Sequence, residues 1–187
     1  MSTGALVPRV TAIVMSSFAL TACAGLPEIP YVNPPPPAAA ANLVDASGRI
    51  AGHAVLIQDG NAVRILLDVN GLAPGAKAVH IHEVGQCTGP SFSSAGGHFN
   101  PTRAEHGTKN PRGPHAGDLP DVTVEASGRG HMEVTATRLS LKKGTSMIDA
   151  DGAAIVVHER GDDERTDPDG GSGTRIACGV LIPSGKT

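Results

Sequence analysis

The sequence predicts an all-β domain, an antiparallel sandwich or barrel of eight short strands. Glycine and proline account for 24 and 15 of the 187 residues, which is too many interruptions for long helices. Apolar residues alternate with polar ones in short runs that end at Gly, Asn, Asp or Pro, the pattern of half-buried strands. Because aromatic residues make up only 2% of the chain, the core must consist of Val, Ile, Leu and Ala.

Eight runs along the chain carry this alternation. The Asp59-Gly60-Asn61 sequence between two of them predicts a tight hairpin. Two long segments, 83–120 and 159–174, lack periodic apolar residues, and loops of this length in a compact domain are typically functional or disordered. The predicted strands cover residues 42–44, 54–57, 62–69, 78–82, 122–125, 132–137, 153–158 and 175–182.

The first 22 residues are typical of an export signal. Arg9 precedes an apolar stretch, 10–20, that as a helix would span about half of the roughly 30 Å hydrocarbon layer, so it predicts a cleaved signal peptide. The Leu-Thr-Ala-Cys sequence that ends at Cys23 resembles the lipobox of bacterial lipoproteins, which implies diacylglycerol on Cys23. The chain is therefore expected to be exported to the periplasmic or cell-surface side, and bound to a bacterial membrane through this lipid alone. An ordinary signal peptide with an incidental cysteine is the alternative.

Residues 23–41 are predicted to be the lipidated cysteine and a Pro- and Ala-rich stalk, and residues 42–187 the folded domain. The proline run at 34–37 favours polyproline II, a semi-rigid spacer. A disordered tail without a spacing role is the alternative. Lys and Arg number 15 against 18 Asp and Glu, so the chain has no basic surplus and we expect no nucleic-acid partner.

The three cysteines fit this organisation. If Cys23 carries lipid, Cys87 and Cys178 are the remaining pair, and an exported protein meets conditions in which they would oxidise. The sequence therefore predicts a disulfide between Cys87 and Cys178.

Histidines concentrate where the strand pattern stops. Five of the eight lie in or beside the 83–120 segment, and His80 and His82 share one face of a strand because they are two residues apart. Imidazole and carboxylate donors in this combination suit a zinc site. Seven candidate ligands exceed the needs of one four-coordinate ion, so two ions are predicted. The candidates are His80, His82, His98, His106, His115, Asp118 and His158.

Over residues 42–182 the chain resembles the copper,zinc superoxide dismutase family. The motifs that carry the resemblance are His-Ile-His-Glu at 80–83, Gly-His-Phe-Asn-Pro at 97–101, His-Gly at 106–107, His-Ala-Gly-Asp-Leu-Pro at 115–120, Val-His-Glu at 157–159 and Gly-Thr-Arg-Ile-Ala-Cys-Gly at 173–179. The resemblance implies an eight-stranded Greek-key barrel or sandwich with two long functional loops.

The resemblance also implies one copper and one zinc ion per subunit. His98 would serve both ions through its two ring nitrogens. Asp162 matches an aspartate that links ligands of the two metals, whereas His53 and His131 match no ligand position and are expected to be solvated or structural. The implied ligands are His80, His82, His98 and His158 for copper, and His98, His106, His115 and Asp118 for zinc.

The activity implied by the resemblance is dismutation of superoxide to dioxygen and hydrogen peroxide by a monomer or homodimer. Arg175 would hold the anion beside copper through a charge-assisted hydrogen bond, and His98 would supply a proton. The 159–174 segment contains six acids and two bases, so steering of superoxide by its total charge is not expected.

Two other functions fit parts of the sequence. An exported dismutase-like module could bind copper and zinc without turnover, but such a module is expected to lack a copper ligand or the arginine, and all are present. A zinc hydrolase could use His80 and His82, but it needs a carboxylate base, and Glu83 would point to the opposite face of the strand.

Overall fold

The computed structural model describes Met1 and residues 39–142 and 146–184. The predicted signal peptide, Cys23 and the predicted stalk up to residue 38 lie outside the described residues. From Ala39 onward, the described residues belong to one compact unit. No helix among them has the length and apolar content that a membrane span requires.

The described residues form ten β-strands and one turn of 3-10 helix at Ser93–Ala95, and paired strands are antiparallel throughout. The prediction of an all-β antiparallel fold is therefore confirmed. The strands are β1 (Ala39–Asp45), β2 (Ile50–Asp59), β3 (Ala62–Val69), β4 (Gly75–Lys77), β5 (Val79–His82), β6 (Val122–Val124), β7 (Gly130–Ala136), β8 (Ala154–His158), β9 (Arg175–Val180) and β10 (Ile182–Pro183).

Three of the strand predictions need correction. β1 begins at Ala39 and not at residue 42, because the alanines assigned to the stalk pair with β2 and bury alternate side chains. β4 was not predicted, since its Gly-Ala-Lys sequence has no apolar alternation and is fixed by pairing with β6. The strand predicted over 175–182 divides at Leu181, whose backbone N–H donates to the Ala153 carbonyl at 3.0 Å.

The sheet closes on itself. Its strands follow the order β4-β6-β7-β3-β2-β1-β9-β8-β5, so β4 and β5 are its two edges. These edges are separated in the chain by Ala78 alone, which joins them covalently. β9 returns over a long connection to lie beside β1, which is the Greek-key feature of the fold.

Strands β5 and β8 are buried on both faces, which positions the functional residues. Val79 and Ile81 of β5 point into the main apolar core, as do Ile155 and Val157 of β8. Because side chains alternate along a strand, His80, His82 and His158 point to the outer face of the barrel. They are nevertheless 0 to 2% exposed, since the two long loops cover that face.

The first long loop runs along β5 like an irregular extra strand. Ile81 accepts a backbone hydrogen bond from Phe99 at 2.8 Å and donates one to Gly117 at 2.9 Å. At Gly117 a Cβ atom would lie 2.4 Å from the Ile81 carbonyl oxygen, so only glycine allows this approach. Cys87 and Cys178 form a disulfide that ties the loop to β9, with Cα atoms 5.6 Å apart, and this prediction is confirmed.

Candidate metal centre

The seven predicted ligands lie together beneath the two loops. Each is at most 9% exposed, although imidazole and carboxylate side chains are ordinarily found at the surface. β5 provides two of them and the end of β8 one, and the 83–120 segment provides the remaining four. Sequence segments up to 78 residues apart are therefore brought to one place by the pairing of β5 with β8 and by the loop beside β5.

His98 lies at the middle of the cluster. The other five imidazoles surround it, with ring centroids at 3.9 Å for His80, 5.0 Å for His82, 5.2 Å for His106, 5.3 Å for His115 and 6.2 Å for His158. Two groups of donor atoms, each within 4.8 Å of one another, include His98. This ring is therefore placed to contribute one nitrogen to each group.

The first group contains imidazoles alone, from His80, His82, His98 and His158. The buried Nδ1 of His80 and Nε2 of His82 and His158 have no hydrogen-bond partner among the described residues. Buried polar atoms are ordinarily paired, so several unpaired ring nitrogens at one point indicate a site that can bind a cation. Four nitrogen donors suit Cu(II).

The opposite nitrogen of each of these three rings is occupied, which fixes its orientation. His80 Nε2 lies 3.0 Å from Asp162 Oδ2, and His82 Nδ1 lies 3.0 Å from the Gly96 carbonyl oxygen. His158 Nδ1 lies 3.0 Å from Ser172 Oγ and 3.3 Å from the Gly173 carbonyl oxygen. Such partners select the tautomer that turns the other nitrogen toward a metal.

The second group gathers around one carboxylate oxygen. Asp118 Oδ1 lies 2.9 Å, 3.1 Å and 3.2 Å from the Nδ1 atoms of His98, His106 and His115. The Nδ1 atoms of His98 and His115 are 3.3 Å apart. Two donors on a tetrahedral zinc ion stand about 3.3 Å apart when the bonds are about 2.0–2.1 Å long. The spacing of these four atoms therefore fits a zinc ion.

Two details support this reading of the second group. Asp118 Oδ2 accepts hydrogen bonds from the backbone N–H groups of Gly107 at 3.0 Å and His115 at 2.9 Å, which leaves Oδ1 to face the rings. His106 Nδ1 makes no hydrogen bond despite its proximity to Oδ1. The second set of donor atoms that lie within 4.8 Å of one another contains His80, His98, His106 and Asp118, and does not contain His115. Since His80 Nε2 is engaged by Asp162, we assign His80 to the imidazole group.

Asp162 connects the two groups, because it contacts the ring nitrogens of His80 and His106 that do not face the donor clusters. Its carboxylate lies 3.0 Å from His80 Nε2 and 2.9 Å from His106 Nε2. The backbone N–H of Asp162 in turn donates to Asp121 Oδ1 at 3.0 Å. At Gly170 a Cβ atom would lie 2.0 Å from Asp162 Oδ1, so this contact requires glycine at that position.

Burial keeps the rings of His80, His82 and His158 neutral. Desolvation lowers the pKa of His80 to about 3, of His82 to about 2 and of His158 to about 4. Hydrogen bonds that the Asp162 carboxylate accepts from His80 and the Gly96 carbonyl accepts from His82 oppose this effect without overcoming it. Neutral rings have the free lone pair that metal binding requires.

Carboxylates reverse this effect at His106. Burial lowers its pKa, but the hydrogen bonds of Asp118 and Asp162 outweigh burial and raise the pKa to about 10. Burial raises the pKa of Asp118 and of Asp162. Hydrogen bonds to His106 and to other neighbours outweigh burial and hold both pKa values well below the ordinary range. The two carboxylates therefore favour a positive charge at His106, and a bound metal ion would have to replace the proton there.

Arg175 is anchored beside the imidazole group at the start of β9. Its Nη1 donates to the Phe92 carbonyl at 2.8 Å, and its Nη2 donates to the Gly96 carbonyl at 2.7 Å. The Gly96 carbonyl thus contacts both Arg175 and His82. Glu83 accepts a hydrogen bond from the Gly97 N–H at 3.1 Å, so its carboxylate is engaged in the loop and does not supply the base that a zinc hydrolase needs.

The acidic side chains of 159–174 are largely engaged within the site and the loop. Asp167 Oδ1 accepts a hydrogen bond from the His106 N–H at 2.7 Å, and Asp163 accepts two from backbone N–H groups of its own loop, at 2.7 and 2.8 Å. Glu164 pairs with Lys109 at 3.3 Å. The negative charge of this segment therefore serves ligand orientation and loop structure.

Three contributors to the site were not predicted: Ser172, the Gly96 carbonyl and Asp121. Ser172 is fully buried within a glycine-rich stretch, and that burial has no sequence signal. A backbone carbonyl can belong to any residue, so Gly96 could not have been identified by type. Asp121 directly follows the His-Ala-Gly-Asp-Leu-Pro motif at 115–120 and could have been suspected only from its proximity to Asp118.

The chain is similar to known proteins along most of its length. A family model described as copper/zinc superoxide dismutase matches residues 50–181. "Superoxide dismutase [Cu-Zn] 2" of Aquifex aeolicus is 44% identical over 144 residues, which cover 75% of this chain and 84% of that protein. "Superoxide dismutase [Cu-Zn]" of Caulobacter vibrioides is 40% identical over 138 residues, covering 72% and 79%.

A solved structure is similar as well. The crystal structure of a SOD-like protein from Bacillus subtilis superposes with a TM-score of 0.74 at 42% identity, covering 76% of this chain and 97% of that one.

Proposed function

The chain belongs to the copper/zinc superoxide dismutase family, and from this membership we propose that its His98-centred cluster dismutates superoxide to dioxygen and hydrogen peroxide. The observation that carries the proposal is the set of buried, unpartnered ring nitrogens on His80, His82 and His158. A zinc site alone would leave them unexplained. We propose one copper and one zinc ion per subunit.

The proposed copper ligands are His80 Nδ1, His82 Nε2, His158 Nε2 and the Nε2 atom of His98. The proposed zinc ligands are the Nδ1 atoms of His98, His106 and His115 and the Oδ1 atom of Asp118. Copper supplies a redox couple that can accept and return one electron, and zinc supplies a fixed positive charge without redox chemistry.

His98 holds and moves a proton in this proposal. Its Nδ1 lies 2.9 Å from Asp118 Oδ1 and is fixed in the second group, whereas its Nε2 is left to face the imidazole group. The Nε2 atom can therefore take up a proton and give it to the reduced substrate. The buried neighbours keep their own nitrogens oriented throughout, because each is held from behind.

Arg175 orients the anion. Two backbone carbonyls hold its guanidinium beside His82, so a superoxide anion can approach a positive charge that needs no reorganisation. A guanidinium also stays charged at any physiological pH. The contact with the Gly96 carbonyl couples the position of this charge to that of His82.

The test removes the charge and keeps the metals. In the copper- and zinc-loaded protein, Arg175→Ala should lower the rate of superoxide removal by about 10²- to 10³-fold, the effect of losing one oriented charge-stabilising donor. Metal analysis should still give one copper and one zinc per chain. Arg49→Ala is the matched control, because Arg49 is an exposed arginine that borders the same groove as Arg175.

A module that binds both metals without turnover is the other candidate. The relative in Bacillus subtilis described as a superoxide dismutase-like protein is 44% identical over 144 residues, so the likeness alone does not separate the two functions. The retained donors and Arg175 favour the enzyme. A folded wild-type protein with both metals bound that removes superoxide no faster than buffer would establish the binding module.

We further propose that residues 1–22 direct export and that lipid on Cys23 anchors the domain that begins at Ala39 outside the cytoplasm through the Pro- and Ala-rich stalk. The Cys87–Cys178 disulfide supports an oxidising compartment. In cell fractionation, Cys23→Ser should move the protein from the membrane to the soluble fraction. Retention of this variant in the membrane would contradict lipid anchoring.

A further inference from the structure

The two histidines outside the metal centre flank a single aspartate on the outer face of the barrel. His53 of β2 is directly opposite Asp68 of β3, and Asp68 is directly opposite His131 of β7. All three are exposed, while their chain neighbours Ala54, Leu67 and Met132 are buried. The three side chains therefore form one row across three adjacent strands.

Asp68 and His131 are already in contact. His131 Nδ1 lies 2.8 Å from Asp68 Oδ1, and the two side chains are 56% and 69% exposed. An exposed pair of this kind contributes at most about 1 kcal/mol to stability. The fold therefore does not need the row, and its donor atoms remain accessible from solvent.

We propose that His53, Asp68 and His131 form an exchangeable site for a divalent transition-metal ion, with Zn²⁺ as the probe ion. Two imidazoles and one carboxylate are a donor set that zinc accepts. Directly opposite residues on adjacent strands have Cβ atoms about 4.5–5.5 Å apart, a spacing that lets one ion join their side chains. Asp68 lies between the two histidines, so each imidazole has to reach across only one strand spacing to bind the same ion.

The site closes through one movement. Among the described residues, His53 makes no hydrogen bond or ion pair with Asp68, so its exposed ring must turn toward the carboxylate, as exposed side chains do on the ps–ns timescale. The remaining coordination positions would be filled by water, which makes the ion exchangeable. Asp68 and His131 line a shallow surface cavity together with Glu125 and Arg129, whose opposite charges offset one another.

This site is separate from the metal centre. β2, β3 and β7 lie in the middle of the sheet order, whereas β5 and β8, which carry His80, His82 and His158, lie at its end. Substitutions in the row should accordingly leave the rate of superoxide removal unchanged. The proposal stands or falls independently of the proposed dismutase activity.

The test counts zinc on the loaded protein. Wild-type protein without an affinity tag, with copper and zinc already in the centre, is dialysed against micromolar Zn²⁺ and its metals are measured. We expect one additional zinc per chain, with the affinity lowered at least about tenfold in each of His53→Ala, Asp68→Asn and His131→Ala. Glu133→Gln is the matched control, because Glu133 lies on the same exposed face of β7 and loses the same charge.

A second measurement locates the ion. In proton NMR spectra, the imidazole signals of His53 and His131 should shift together as Zn²⁺ is added. The absence of an additional zinc in the wild type would overturn the proposal. So would an additional zinc that survives all three substitutions, or one that is lost with Asp68 and His131 but kept without His53.

Discussion

The two donor groups that meet at His98 are made of different chemistry. The imidazole group brings no carboxylate to its donor atoms, and burial is the largest cause of the lowered pKa values of His80, His82 and His158. The mixed group gathers around Asp118 Oδ1, where carboxylates raise the pKa of His106 to about 10. A cation in the first group therefore keeps its positive charge, while a cation in the second is partly neutralised and firmly held. We therefore expect superoxide to react at the first group.

The two groups also differ in how their ligands are anchored. In the imidazole group, the backbone carbonyls of Gly96 and Gly173 and the hydroxyl of Ser172 orient His82 and His158. His80 is held by a carboxylate instead, that of Asp162. The mixed group is oriented by charged carboxylates, whose hydrogen bonds are stronger than neutral ones. We therefore expect the imidazole group to lose its ion with smaller perturbations than the mixed group.

Removing one ligand from one group should have the largest effect on activity and on metal content. His82→Ala should abolish superoxide removal above the background of free metal, because the variant loses copper binding while the zinc ligands are untouched. Metal analysis should show zinc near one per chain and copper well below it. The reciprocal variant Asp118→Ala should lose zinc first. Equal loss of both metals from His82→Ala would show that the groups do not act separately.

Asp162 contacts one ligand of each group, His80 and His106, so Asp162→Asn tests whether the two groups lose affinity for their ions to different extents. The asparagine side chain has only one oxygen that can accept a hydrogen bond, and it has no charge. His106 therefore loses part of the negative charge that favours a bound cation beside it. We expect zinc affinity to fall by about 10- to 100-fold, as for other partners behind a metal ligand. Copper affinity should fall less, because His80 is one of four imidazoles.

Competition with a chelator measures both affinities on the same sample. Asp163→Asn is the matched control, since Asp163 is adjacent in the chain but accepts hydrogen bonds within its own loop. A larger loss for copper than for zinc would reverse the order that the geometry of Asp162 implies.

The sequence predicted the seven donors and Asp162 but not how they are held. Ligand residues have side chains of a special type, so the spacing of His80, His82 and His98 could be matched to a known pattern. The carbonyl of Gly96 has no such signature, because every residue has one. Likewise, β4 and the closure of the barrel at Ala78 depend on pairing between distant strands, which local alternation does not report.

Ser172→Ala has the smallest expected effect and tests the anchoring of the imidazole group. The variant removes one of two partners of His158 Nδ1, but the Gly173 carbonyl at 3.3 Å remains to accept its hydrogen bond. Copper affinity should therefore fall by less than about tenfold, with zinc affinity unchanged. The electron paramagnetic resonance spectrum of bound Cu(II) should shift, because the His158 ring is less firmly oriented.

Thr174→Ala separates this effect from the loss of any hydroxyl in the loop. Thr174 donates to Glu159 at 3.2 Å and makes no described contact with the cluster, so its removal should leave the spectrum unchanged. If Ser172→Ala also left the spectrum unchanged, the Gly173 carbonyl alone would orient His158. His82 and His158 would then depend on backbone carbonyls entirely, and their contrast with the carboxylate-held ligands would be sharper still.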